Sequence, residues 1–124
     1  MPSLRYFLPD HVYIAGSHYG RVVKIGMTKN PRRRQQNLRN RRYGGLRDWA
    51  ILYYARAGRR IETETLWRLR RHLTLESWQS ESWGNATEIV RCSFSEAHEA
   101  LSDLISDEEQ TKAWWSPHWC NYLF

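Results

Sequence analysis

Two runs rich in apolar and β-branched residues stand out first, His11-Val12-Tyr13-Ile14-Ala15 and Val22-Val23-Lys24-Ile25-Gly26. Between them lies Gly16-Ser17-His18-Tyr19-Gly20, a turn bounded by glycines, so the pair predicts a β-hairpin. Asn30-Pro31 then marks a helix start, with asparagine as N-cap and proline at the first helical position. From Arg32 to Arg42 that segment holds one aliphatic residue, Leu38. A helix so poor in apolar positions cannot be held by a broad stripe and must lie on the surface. Gly44-Gly45 ends it, and Ala50 to Ala55 is the clearest strand. A second helix is expected from about Arg59 to Leu73, and the polar stretch from Thr74 to Asn85 reads as a loop. Thr87 to Ser93 predicts a short strand. Ser95 to about Ser106 predicts an amphipathic helix carrying Ala97, Leu101, Leu104 and Ile105. The order is β-β-α-β-α, followed by a β-α extension and an aromatic tail. It describes one α+β domain: a small three-stranded sheet flanked by helices, with a core at about 11–73 and an extension over 74–124.

The second helix carries a conflict between pattern and chemistry. On a helical wheel Ile61, Leu66, Leu69 and Leu73 share an arc of about 140°, the stripe expected to face the sheet. Glu62 falls inside that arc, whereas Glu64 sits opposite, among Arg60, Trp67 and Arg71. A carboxylate in an apolar stripe is costly unless a cation or a metal compensates it. Either Glu62 pairs with a buried arginine and orients the helix, or it belongs to a functional site.

Charge sharpens the surface reading. The net charge of +6 conceals two unlike halves. Residues 21–72 hold 16 Lys or Arg against Asp48, Glu62 and Glu64, a net of +13, and residues 73–124 a net of −7. The basic half has the footprint of a polyanion binder, although an internally balanced charged face would also produce it. No apolar run is long enough for a bilayer, and the N-terminus lacks a signal-like segment. Two cysteines, Cys92 and Cys120, make no disulfide framework, so a cytoplasmic setting without membrane attachment is expected.

Val12-Tyr13-Ile14, Lys24-Ile25-Gly26, Thr28-Lys29-Asn30-Pro31 and Arg34 together resemble the signature of the GIY-YIG nuclease superfamily. There a tyrosine-bearing strand precedes a second strand ending in Tyr-Ile-Gly or a variant. An arginine stands eight residues beyond the motif glycine, and a glutamate lies on a later helix. Arg34 is eight residues beyond Gly26, and Glu62 follows the third strand. The resemblance covers about Val12 to Leu73 and implies the GIY-YIG fold and a metal-dependent DNA endonuclease. Tyr13 would be the general base, or part of the relay, that activates water. Arg34 would grip the scissile phosphate, Glu62 would anchor one Mg²⁺ or Mn²⁺, and Gly26 would permit close backbone approach. Lys24 replaces the name-giving tyrosine, as in the phage-associated subgroup. Its charge would favour the phenolate of Tyr13, or it would contact phosphate.

The remaining residues bound the reading. Lys29, Arg32, Arg33, Arg39, Arg41 and Arg42 are expected to clamp DNA backbone with little sequence preference. His118, Cys120 and Cys92 match no standard zinc spacing. Gly84-Asn85 reads as a turn before it reads as a metal neighbour. Trp114, Trp115 and Trp119 are expected to pack over the core, or to form a homodimer interface, ahead of stacking on single strands. Two further readings stand beside the nuclease. One is a nucleic-acid-binding module without catalysis; the other is a regulator whose acidic half engages a basic protein.

Overall fold

A computed structural model describes residues 10–72, 79–80, 84–85 and 89–124, with backbone alone for 79–80 and 84–85. β1 (His11–Ser17) and β2 (Val22–Thr28) form the expected antiparallel hairpin, with Tyr13 opposite Gly26 and His11 opposite Thr28. β3 (Ala50–Arg56) pairs with the other edge of β1. The register slips between Ile14 and Ala15, so Leu52 is the extra residue of a β-bulge. Leu52 and Tyr53 consequently both face the same core cluster.

The sheet is five-stranded where sequence predicted three. With β6 (Ile89–Val90) and β7 (Trp114–Trp115) its order is β6-β2-β1-β3-β7, and neighbouring strands run antiparallel. β6 (Ile89–Val90) extends it beside β2, within the expected strand at Thr87 to Ser93, part of which lies outside the described residues. β7 (Trp114–Trp115) extends it beside β3. Within the segment expected to be a loop, Gln79–Ser80 (β4) pairs with Gly84–Asn85 (β5) as a separate ribbon; the rest of that segment is outside the described residues.

Alternation divides the core between the two faces of the sheet. Val12, Ile14, Val23 and Ile25 meet α3 (Phe94–Ser102) and α2 (Arg59–Arg68) on one face. Tyr13, Ala15 and Val22 meet α1 (Pro31–Asn40), Tyr43 and Trp49 on the other. α2 stops at Arg68 and continues as a 3-10 turn over Arg70–His72; the expected Leu73 lies outside the described residues. Asn30 caps α1 as expected, its Oδ1 accepting from Arg33 N at 3.1 Å. Leu38 is the one buried residue of α1, so polar ties supplement it. Arg39 Nε donates to the Trp49 carbonyl at 2.6 Å, and Gln35 Oε1 accepts from Ile51 N at 2.7 Å.

A short acidic helix, α4 (Asp107–Lys112), leads back to β7. The chain ends in a 3-10 turn, Trp119–Tyr122, where Trp119 and Tyr122 pack on the α2/α3 side of the core. Among the described residues no helix is long and apolar enough to cross a membrane.

Candidate active site

Tyr13 and Gly26 are cross-strand partners, and Lys24, two residues before Gly26, points to the same face of the sheet. The three meet closely. A Cβ added at Gly26 would overlap Tyr13 Cζ and Oη and would lie 2.7 Å from Lys24 Nζ. Glycine is therefore the residue that lets the phenol and the ammonium come together over bare backbone. Lys24 Nζ lies 5.1 Å from the ring centre of Tyr13 and 4.8 Å from that of Tyr43, a cation between two π faces. Tyr13 is 0% exposed and Lys24 2%. The Tyr13 hydroxyl is buried without a hydrogen-bond partner among the described residues. Such an orphan costs about 1–3 kcal/mol, and a catalytic role or a water or ion partner is the usual reason for one.

A cleft of about 390 Å³ opens at the end of the sheet where β2 leaves. Met27, Thr28, Lys29, Asn30, Arg33 and Arg34 line it, together with Asp10 and Asn37. Arg34 is half-buried there, and Arg32 and Arg33 are exposed on the first turn of α1. Lys29 Nζ pairs with Asp10 Oδ1 at 3.1 Å, with both side chains more than a third exposed. A pair that open to water is worth about 0–1 kcal/mol, weak enough for a phosphate to displace. Arg41 and Arg42 are exposed at the far end of α1, roughly 15 Å away at 1.5 Å per residue. Arg39, expected to clamp DNA, is exposed and donates its Nε to the Trp49 carbonyl.

Glu62 stands half-buried in the first turn of α2, one turn before the fully buried Thr65, whereas Glu64 is exposed. That agrees with the wheel. α1 and α2 both begin at the same end of the sheet, since His11 pairs with Thr28 and with Arg56. The two helices nevertheless lie on opposite faces: Ile61 and Leu66 of α2 and its C-cap Leu69 pack with Ile14 and Ile25, away from the Tyr13 ring. The fold thus joins Tyr13, Lys24 and Gly26 directly. It sets Arg34 in the cleft just past Gly26, and it brings Glu62 to that end of the sheet on the helix of the other face.

Among the described residues no three His, Cys, Asp or Glu side chains form a ready metal cluster. A lone carboxylate suits an ion of the Mg²⁺ kind, which keeps several waters and shares its shell with substrate phosphate. Cys92 is a buried thiol pushed up to about 12, by burial first and by the nearby Glu96 charge second. That is the behaviour of an inert core residue. Sequence reasoning missed Tyr43, the second ring on Lys24, for which spacing gives no signal. It also missed Asp10 and Asn37 in the cleft lining, which spacing does not single out, and named Thr28 only as part of the motif.

An α+β domain with a basic cleft at the sheet end, beside a buried tyrosine and lysine, is the class that fold and geometry define. A family model described as the T5orf172 domain matches residues 10–105, from the start of β1 past the end of α3. The chain belongs to the T5orf172 domain family, a phage-associated domain of a nuclease-related group. Comparison with curated proteins and with solved structures gave no match.

Proposed function

We propose that this chain is a metal-dependent DNA endonuclease of the GIY-YIG type, hydrolysing a phosphodiester with water as nucleophile. The observation that carries the reading is the unsatisfied Tyr13 hydroxyl, pressed with Lys24 Nζ against the backbone of Gly26 beside a basic cleft. Tyr13, directly or through a relay, takes the proton of the attacking water while the water oxygen bonds to phosphorus and the ester P–O bond breaks. Arg34 grips the non-bridging oxygens and stabilises the charge that builds on the pentavalent phosphorus. Glu62 would hold one Mg²⁺ or Mn²⁺, which when bound neutralises the phosphate and eases departure of the leaving oxygen. Lys29 and Arg33 at the cleft, Arg32 next to them, and Arg41 and Arg42 just past the far end of α1 neutralise flanking phosphates without reading bases.

A second reading, a DNA-binding module without catalysis, is favoured by one observation. Tyr13 and Lys24 are closed to solvent, and α2 packs on the face away from them. Plasmid incubated with Mg²⁺ or Mn²⁺ separates the two. The nuclease nicks it, and Glu62→Ala lowers the rate by about a hundredfold or more while DNA binding persists. Binding without nicking at any metal concentration establishes the module instead.

A further inference from the structure

The aromatic tail divides between the two faces of the sheet. β7 pairs with β3 so that Trp115 stands beside Tyr53 and Trp114 beside Tyr54. Trp115, 40% exposed like Trp114, makes ring contacts with Phe94, His98 and Trp119 on the α2/α3 side. Trp114 takes the other side, the one that carries Tyr13 and Lys24. Its indole stacks on Tyr54 at 5.3 Å with 20° between planes, and Tyr54 meets His11 edge-on at 5.4 Å. Tyr54 is the cross-strand partner of Tyr13. An aromatic row therefore runs from the Tyr13–Gly26 pair across two strands to the sheet edge, a span of roughly 10 Å at ~4.8 Å per strand. It ends in an indole that is 40% exposed.

We infer that Trp114, backed by Tyr54, is a stacking subsite for an unpaired base of single-stranded DNA lying a nucleotide or two from the scissile phosphate. This deepens the nuclease reading and rests on it. A ring stacked on an aromatic neighbour and still 40% exposed offers surface on which a base can stack, since every base has a π face. The cations of the cleft lie at the β2 end of this row, three strands or roughly 14 Å from Trp114 at ~4.8 Å per strand, a spacing of about two nucleotides, and would take the strand's phosphates. Trp114 lies beyond the residues matched by the family model, so the subsite belongs to this chain's own C-terminal segment.

The test measures binding of a fluorescently labelled single strand, and of the corresponding duplex, to wild type, Trp114→Ala and Trp114→Phe. Melting of each variant is followed alongside, so that loss of fold is seen separately. Trp114→Ala binds the single strand about tenfold more weakly, and its affinity for duplex and its salt slope change little. Trp114→Phe keeps most of the affinity. An unchanged Trp114→Ala, an equal loss on duplex, or an effect explained by a dimer that dissociates overturns the subsite while leaving the nuclease reading intact. A wild-type protein that binds neither DNA overturns both.

Discussion

Gly26 owes its place to space and not to backbone angle, since its φ lies outside the left-handed region occupied by Gly44 and Gly45. The phenol ring of Tyr13 and the ammonium of Lys24 fill the volume a side chain would take. Gly26→Ala should therefore destabilise by about 1–3 kcal/mol, the usual cost of overpacking, and should displace both head groups. Urea denaturation and the cleavage rate read the two effects; a variant as stable and as active as wild type refutes the contact. The motif glycine, Tyr13 and Arg34 were legible in the sequence because a short ordered pattern fixes them. Lys24 burial was not: a lysine in a strand does not reveal that two tyrosine rings will enclose it. Nor can composition tell which arginine of a basic helix serves the fold, as Arg39 does.

The hairpin, β3 and the N-cap of α1 were legible because alternation and Asn-Pro are local signals. β7 was not, because two adjacent tryptophans carry no periodicity and their pairing with β3 is made far along the chain. α4 was hidden by its composition, six polar residues with no apolar stripe, held at its start by Ser106 Oγ accepting from Glu109 N. The packing of α3 against β7 makes a prediction of its own. His98 lies against Tyr53, Phe94 and Trp115, and burial lowers its pKa below the ordinary 6.5. The unfolded chain then binds a proton that the folded one resists. Stability is complete above about pH 6.5 and falls as pH drops through that value towards the lowered folded one. Thermal melting between pH 7.5 and 5 should show this loss, and His98→Phe should flatten it. An identical slope in the variant assigns the effect elsewhere.

Over the whole molecule, charge was legible as an asymmetry but not as a surface. Folding sorts the basic half into a cleft group (Lys29, Arg33 and Arg34), the neighbouring Arg32, and a distal pair (Arg41 and Arg42). Only cations that meet phosphates contribute to salt dependence, about 0.9 in the slope of log K against log salt per contact on duplex DNA. Replacing Arg32 and Arg33 together by alanine should make the slope shallower by about 2. Arg39→Ala should lower melting temperature and leave the slope alone. Equal slopes for wild type and the double variant would remove Arg32 and Arg33 from the DNA interface. The position of Glu62 could not be read at this scale either. Its helix period puts it on the inner side, but only the chain path shows that α1 and α2 start from one end of the sheet on opposite faces.

The account turns on the Tyr13 oxygen being kept, unsatisfied, for chemistry. The most direct measurement is therefore Tyr13→Phe, assayed for single-turnover DNA cleavage and for unfolding free energy on the same preparation. Removing a buried hydroxyl that has no partner should leave stability equal to wild type or raise it by about 1–3 kcal/mol. Cleavage should fall by about a hundredfold or more with DNA binding unchanged. A variant that cuts as fast as wild type, or that loses stability and activity together, contradicts the claim.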